Sequence, residues 1–96
     1  MKTMYTYILQ CADDSFYVGV TNNLERRFKE HQSGSHELSY TASRLPVKLI
    51  YYEVFNGPNA AIAREKQLKK WSRAKKLALI NEDEDLLKEL SKKDFS

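Results

Sequence analysis

The sequence predicts an α+β fold, a three-stranded, mostly antiparallel sheet flanked by helices in the order ββαβααα. Three observations carry this. Two β-rich segments, residues 4–11 and 16–21, flank a turn composition at 12–15. One further apolar segment, residues 47–55, stands alone, and the chain beyond residue 59 divides into short stretches with helical spacing and helical caps.

Each element has its own reason. Residues 4–11 (Met-Tyr-Thr-Tyr-Ile-Leu-Gln-Cys) and 16–21 (Phe-Tyr-Val-Gly-Val-Thr) are dense in aromatic and β-branched side chains, and Ala12-Asp13-Asp14-Ser15 between them makes the pair a β-hairpin. Asn22, with Glu25 three positions later, reads as a capping box, so a helix is expected over residues 23–32, ending near Ser33 and Gly34. Residues 33–46 read as a loop closed by Pro46. Residues 47–55 are apolar on both parities, which predicts a strand buried on both faces and central in its sheet. Asn56-Gly57-Pro58-Asn59 breaks the chain and opens a helix over 60–70, and Ser72 caps another over 73–80. Glu82 to Asp85 precede Leu86, Leu87 and Leu90, and Lys92 and Lys93 follow, an acid-first, base-last order that suits a helix dipole.

Ninety-six residues make one domain, expected over 1–80 with an acidic helical extension over 81–96. Runs such as residues 48–52 are far shorter than the ~20 apolar residues that span a bilayer, and the N-terminus lacks a signal pattern, so no membrane partner is expected. Cys11 is the only cysteine, which excludes an internal disulfide and a multi-cysteine zinc site; a reducing cytoplasm is the expected compartment. The net charge of +3 is unevenly spread. Residues 1–63 sum to zero, 77–96 to −3, and 64–76 to +6 through Arg64, Lys66, Lys69, Lys70, Arg73, Lys75 and Lys76 against Glu65. Such a cluster suits a phosphate backbone as well as a solvated helix face.

Some polar residues fall where apolar ones are expected. Leu24 and Phe28 define the inward face of the first helix, and the same spacing brings Arg27 and His31 onto it. Ile62 and Leu68 define an inward stripe on the next helix, with Glu65 between them. A buried cation or carboxylate demands a partner or a wet cleft, and a structural salt bridge is the alternative for both Arg27 and Glu65. Tyr5 and Tyr7 share one face of the first strand, and Tyr17 faces Tyr7 across the hairpin if the register sets them opposite. Each phenol alone suits core packing with a solvated hydroxyl. His36 reads as a surface residue rather than a ligand, Cys11 as a small strand hydrophobe, and Trp71 as an anchor for the basic helix, with base stacking as the alternative.

Tyr5-Thr6-Tyr7-Ile8, Tyr17-Val18-Gly19 ten positions after Tyr7, and the helical segment from Asn23 to His31 resemble the GIY-YIG nuclease domain. Tyr40-Thr41, the segment from Pro46 to Tyr51 and that from Ala63 to Ser72 are similar to its small stand-alone bacterial branch. The resemblance spans residues 4–80, with Tyr5 and Thr6 standing where the family's first motif has glycine and isoleucine.

The resemblance implies an endonuclease that hydrolyses phosphodiester bonds using a divalent cation, magnesium or manganese. Tyr7 would be the general base and Tyr17 would orient or assist it. Arg27 would balance phosphate charge, His31 would support proton transfer or phosphate positioning, and Glu65 would be the metal ligand. Arg26, Lys66, Lys69, Lys70, Arg73 and Lys76 would contact nucleic acid, DNA in preference to RNA. Asn81 is a candidate for a late asparagine of the family's site, or the end of a helix. The rival function is a non-catalytic nucleic-acid-binding module on the same fold.

Overall fold

The computed structural model describes residues 2–34 and 39–93. Strand β1 (Thr3–Gln10) and strand β2 (Phe16–Thr21) form the hairpin, helix α1 (Leu24–Gln32) and the short helix α2 (Ser39–Ala42) follow, and strand β3 (Lys48–Asn56) completes the sheet. Helices α3 (Pro58–Lys69), α4 (Arg73–Ile80) and α5 (Glu84–Lys93) close the chain. The sheet is antiparallel throughout, ordered β2-β1-β3.

Local chemistry accounts for the boundaries. Asp13 Oδ1 accepts from the Ser15 amide at 3.0 Å, and Asp14 takes a positive φ of 67°, which turns the hairpin. The α1 cap is Asn23, one residue later than expected: its side chain accepts from the Arg26 amide at 3.0 Å. Asn22 instead accepts from the Arg26 side chain at 3.2 Å. Gly57, at φ 115°, supplies a backbone conformation that few other residues adopt cheaply, and Pro58 begins α3 two residues earlier than the sequence suggests. Ser72 caps α4 through the Lys75 amide, as expected. The expected loop over 33–46 contains α2, and His36 lies outside the described residues.

β1, not β3, is the central strand. The apolar residues on both parities of β3 have another cause. Its register to β1 jumps from Ile8↔Tyr51 to Leu9↔Leu49, a bulge at Ile50 that reverses which parity faces which side. Leu49 therefore packs with Tyr7, Leu9, Cys11 and Val47 under α1, while Ile50 and Tyr51 pack with Ile8, Val18 and Leu68 on the other face. Burying side chains such as Ile8 and Leu9 fully stabilises the fold by roughly 1.5 to 3 kcal/mol each. As an edge strand, β3 leaves Tyr52 and Val54 exposed.

α3 lies along the second face. Thr6 Oγ1 donates to the Ala61 carbonyl at 2.8 Å, and Ala61 and Leu68 are buried. Ile62 is exposed, so the inward stripe runs through Ala61 and Leu68 rather than Ile62 and Leu68. Arg64 donates from Nε and Nη2 to both oxygens of Glu53 at 2.9 and 3.0 Å, and Tyr51 donates to the same carboxylate, which clamps α3 to β3. Trp71 packs against the Ile8–Val18–Leu68 cluster.

Candidate active site

Strand alternation puts Tyr5, Tyr7 and Leu9 on the α1 face of the sheet, and Tyr7 is 2 % exposed. Its partner across the hairpin is Gly19, not Tyr17; Tyr17 pairs with Leu9 and stands diagonal to Tyr7, with ring centroids 6.3 Å apart. The glycine makes room for the phenol. A Cβ at Gly19 would stand 2.5 Å from Tyr7 Oη and 3.0 Å from the Tyr17 ring, closer than packed atoms approach.

The last turn of α1 brings His31, fully buried, onto this face. Its Nε2 lies 2.8 Å from Tyr7 Oη, its Nδ1 lies 2.8 Å from Thr41 Oγ1, and its ring meets that of Tyr17 edge-on at 4.9 Å. Tyr40 extends the group, its ring 5.9 Å from Tyr17 and stacked under the Arg44 guanidinium at 3.9 Å. Neither Thr41 nor Tyr40 carries a role in the sequence reading, because no helical or strand period links positions 40 and 41 to His31. The Tyr40-Thr41 pair within the family resemblance is the only signal that pointed there.

Arg27 stands one turn before His31, half-buried, with Nε 3.3 Å from Glu30 Oε1. That contact is not aligned as a hydrogen bond, and the buried Nε–H has no acceptor among the described residues. Glu65 lies on α3, mostly covered, with Lys69 Nζ at 3.6 Å. α3 packs on the opposite face of the sheet, yet the Glu65 carboxylate acts electrostatically on both Tyr17 and Tyr7. Tyr7, Tyr17 and His31 are thus in direct contact, whereas Arg27 and Glu65 act on them through their charges.

Burial is the main force on each titrating group. It pushes the Tyr7 phenol far above its ordinary value, helped by Tyr17, Glu65 and Glu30 and opposed by Arg27. Tyr17 is raised by burial and then by Glu65, again against Arg27. Burial and then the Arg27 charge lower His31 to about 4. At neutral pH the phenols are therefore protonated and the imidazole is neutral, with one ring nitrogen donating and the other accepting. Tyr7 Oη, the two His31 ring nitrogens and Thr41 Oγ1 thus form one continuous hydrogen-bonded line.

The remaining candidates are dispersed. Lys66 and Lys70 line a cleft of about 620 Å³ with Trp71 and Lys75. Lys69 faces Glu65, and Arg73 donates to the Asp14 carbonyl while lying over the Phe16 ring at 4.4 Å. The Lys76 ammonium is lowered by burial and by Arg73. Arg26 is exposed on α1. Asn81 is the C-cap of α4. Cys11 is buried in the Tyr7 cluster, its thiol raised by burial. Among the described residues no three His, Cys, Asp or Glu side chains gather into a metal-binding group, and no helix is long and apolar enough to cross a membrane.

Residues 3–78 match the model of the GIY-YIG catalytic domain. A UPF0213 protein of Syntrophus aciditrophicus is 46 % identical over 83 residues, which are 86 % of this chain and 95 % of that protein. A UPF0213 protein of Clostridium perfringens is 49 % identical over 77 residues, 80 % of this chain and 82 % of the relative. The solution NMR structure of a UPF0213 protein from Bacillus halodurans superposes with a TM-score of 0.54 at 38 % identity, covering 82 % of this chain and 83 % of that one. With its antiparallel sheet, its tyrosines on adjacent strands and these relatives, the chain belongs to the GIY-YIG family and, within it, to the UPF0213 proteins.

Proposed function

We propose that the protein is a divalent-metal-dependent endonuclease acting on nucleic acid, with residues 1–80 as the nuclease unit and 81–96 as an extension. The observation that carries the reading is the 2.8 Å hydrogen bond between Tyr7 Oη and His31 Nε2, set one helical turn from a guanidinium whose Nε–H has no acceptor among the described residues. A phenol is a poor base on its own: with a pKa of ~10 it is ionised to ~0.1 % at neutral pH, equivalent to about 4 kcal/mol. Burial makes this worse. A relay avoids the free phenolate.

In that relay the attacking water forms the new P–O bond and gives its proton to Tyr7 Oη. Tyr7 passes its own proton to His31 Nε2, the His31 Nδ1–H stays donated to Thr41 Oγ1, and the bond to the departing oxygen breaks. The Arg27 guanidinium balances charge on the attacked phosphate, and the phosphate in turn offsets the Arg27 charge, which adds to burial in lowering His31. Tyr17, edge-on to His31, holds the ring in line.

Glu65 offers one hard carboxylate, and no group of three His, Cys, Asp or Glu side chains gathers around it among the described residues. That donor set fits magnesium or manganese, which keep most of their ligands as water and phosphate oxygens. Such an ion would supply Lewis-acid polarisation of the phosphate and stabilise the departing oxygen. The lysines at 66, 69, 70 and 76, with Arg26 and Arg73, would hold the backbone of the strand, DNA before RNA.

The test is cleavage of a panel of branched and single-stranded DNA and RNA, with and without magnesium, by the parent and by Glu65→Gln. The expected result is a loss of at least about a hundredfold in rate for the variant, undiminished oligonucleotide binding, and loss of bound Mn2+ measured by electron paramagnetic resonance. Cleavage by Glu65→Gln at the parental rate would replace the enzyme with the binding module.

A further inference from the structure

A second feature lies on the α1 face of the sheet beside Tyr7. Tyr5 is two residues along β1 on the same side, about 7 Å away at the usual rise of a strand. Tyr52 on β3 is the direct cross-strand partner of Tyr7. The rings of Tyr5 and Tyr52 meet edge to face at 6.1 Å, and with Phe28 and Leu49 they wall a cleft of about 630 Å³, within the range of small-ligand sites. Tyr52 is 52 % exposed, which leaves the face of its ring open to a ligand.

The composition of the wall selects the ligand. Among the described residues Glu25 is the one charged residue of the wall, and its carboxylate is paired with Lys29 Nζ at 3.2 Å, so the wall itself presents no cation to a phosphate. Asn22 and Asn23 also line it, and both of their side-chain oxygens already accept hydrogen bonds from Arg26. What they offer a ligand is amide N–H, suited to ring nitrogens and carbonyl oxygens. A flat, uncharged ring system with acceptors on its edge fits aromatic walls and amide donors together.

On the reading that a phosphate sits at Tyr7, we infer that this cleft is a nucleobase-binding subsite, holding one unpaired base of the nucleotide next to the scissile phosphate against Tyr52, with Asn22 and Asn23 at its edge. A base inside a duplex cannot enter, because its faces are already stacked and its edge already paired. The strand is therefore unpaired, or becomes unpaired, at that position.

The experiment uses the full chain without divalent metal and short single-stranded oligonucleotides carrying 2-aminopurine at each position in turn. Fluorescence quenching is expected at one position. Tyr52→Ala and Tyr52→Leu should abolish that quenching and weaken binding roughly five- to a hundredfold, and Tyr52→Phe should retain both. An abasic nucleotide at that position should weaken binding of the parent to the same degree. Equal binding by parent and Tyr52→Ala, quenching that survives in Tyr52→Leu, or an equal loss on a fully paired duplex would overturn the subsite. Those results leave the nuclease reading standing if Tyr7→Phe still loses cleavage. Failure of every oligonucleotide to bind at low salt would overturn both.

Discussion

Gly19→Ala adds one methyl group and is expected to disable the site. Gly19 lies within β2 and outside the positive-φ region, so alanine meets no backbone penalty there and only the added carbon matters. That carbon would stand 2.5 Å from Tyr7 Oη and 2.6 Å from Cζ, where ordinary contact begins at 3.4 Å, so the phenol must retreat by about 1 Å. Tyr7 is enclosed by Leu9, Cys11 and Val47 and held by His31, and a retreat breaks the 2.8 Å bond to Nε2. Overpacking of this kind costs about 1 to 3 kcal/mol. A misplacement of ~1 Å at a reacting group costs on the order of a hundredfold in rate. Urea denaturation followed by circular dichroism measures the first, and single-turnover cleavage with magnesium measures the second. The variant should remain folded and be nearly inactive. Parental stability together with parental cleavage would refute both the close approach of Tyr7 to β2 and the need for its position.

Other perturbations separate stability from chemistry. His31 is lowered from 6.5 to about 4, so the unfolded chain binds the extra proton first as pH falls, and stability is lost through the window from 6.5 down to 4. Between pH 7.5 and 5 the loss is roughly 2 kcal/mol, and His31→Gln should remove that part of the slope; an unchanged slope would place the titration elsewhere. Arg27→Ala breaks a half-exposed pair with Glu30, so stability should change by no more than about 1 kcal/mol while cleavage falls at least about a hundredfold. A loss nearer ~3 to 5 kcal/mol with retained activity would make it a structural ion pair. Thr41→Val removes the hydroxyl from His31 Nδ1 and should cost about 1 to 3 kcal/mol and slow cleavage at least about tenfold, with Thr41→Ser restoring both. Denaturation and rate measurements on the three proteins check this, and an unslowed Thr41→Val would remove the threonine from the relay.

Short-range chemistry dictated more of this protein than long-range pairing did. The turn at Asp13 and Ser15 and the Ser72 cap each depend on groups within three residues of one another, so they are legible in the chain. The face of α1 is legible for the same reason: a 3.6-residue period places Leu24, Arg27, Phe28 and His31 on one side wherever the helix docks. Strand order is another matter. Residues 47–55 carry apolar side chains on both parities whether the strand is central or bulged, and only pairing against β1 across some forty residues chose the bulge at Ile50 and left β3 at the edge. The same choice exposes Tyr52 and opens the cleft beside Tyr5. Register likewise set Gly19, not Tyr17, opposite Tyr7. The covering of Ala61 in place of Ile62 came from α3 docking against Thr6, and the meeting of Thr41 with His31 from the return of α2 to α1. A local period specifies which side chains share a face of one element; which faces meet is decided by burial summed over the whole chain, and that sum is available only once the elements have docked.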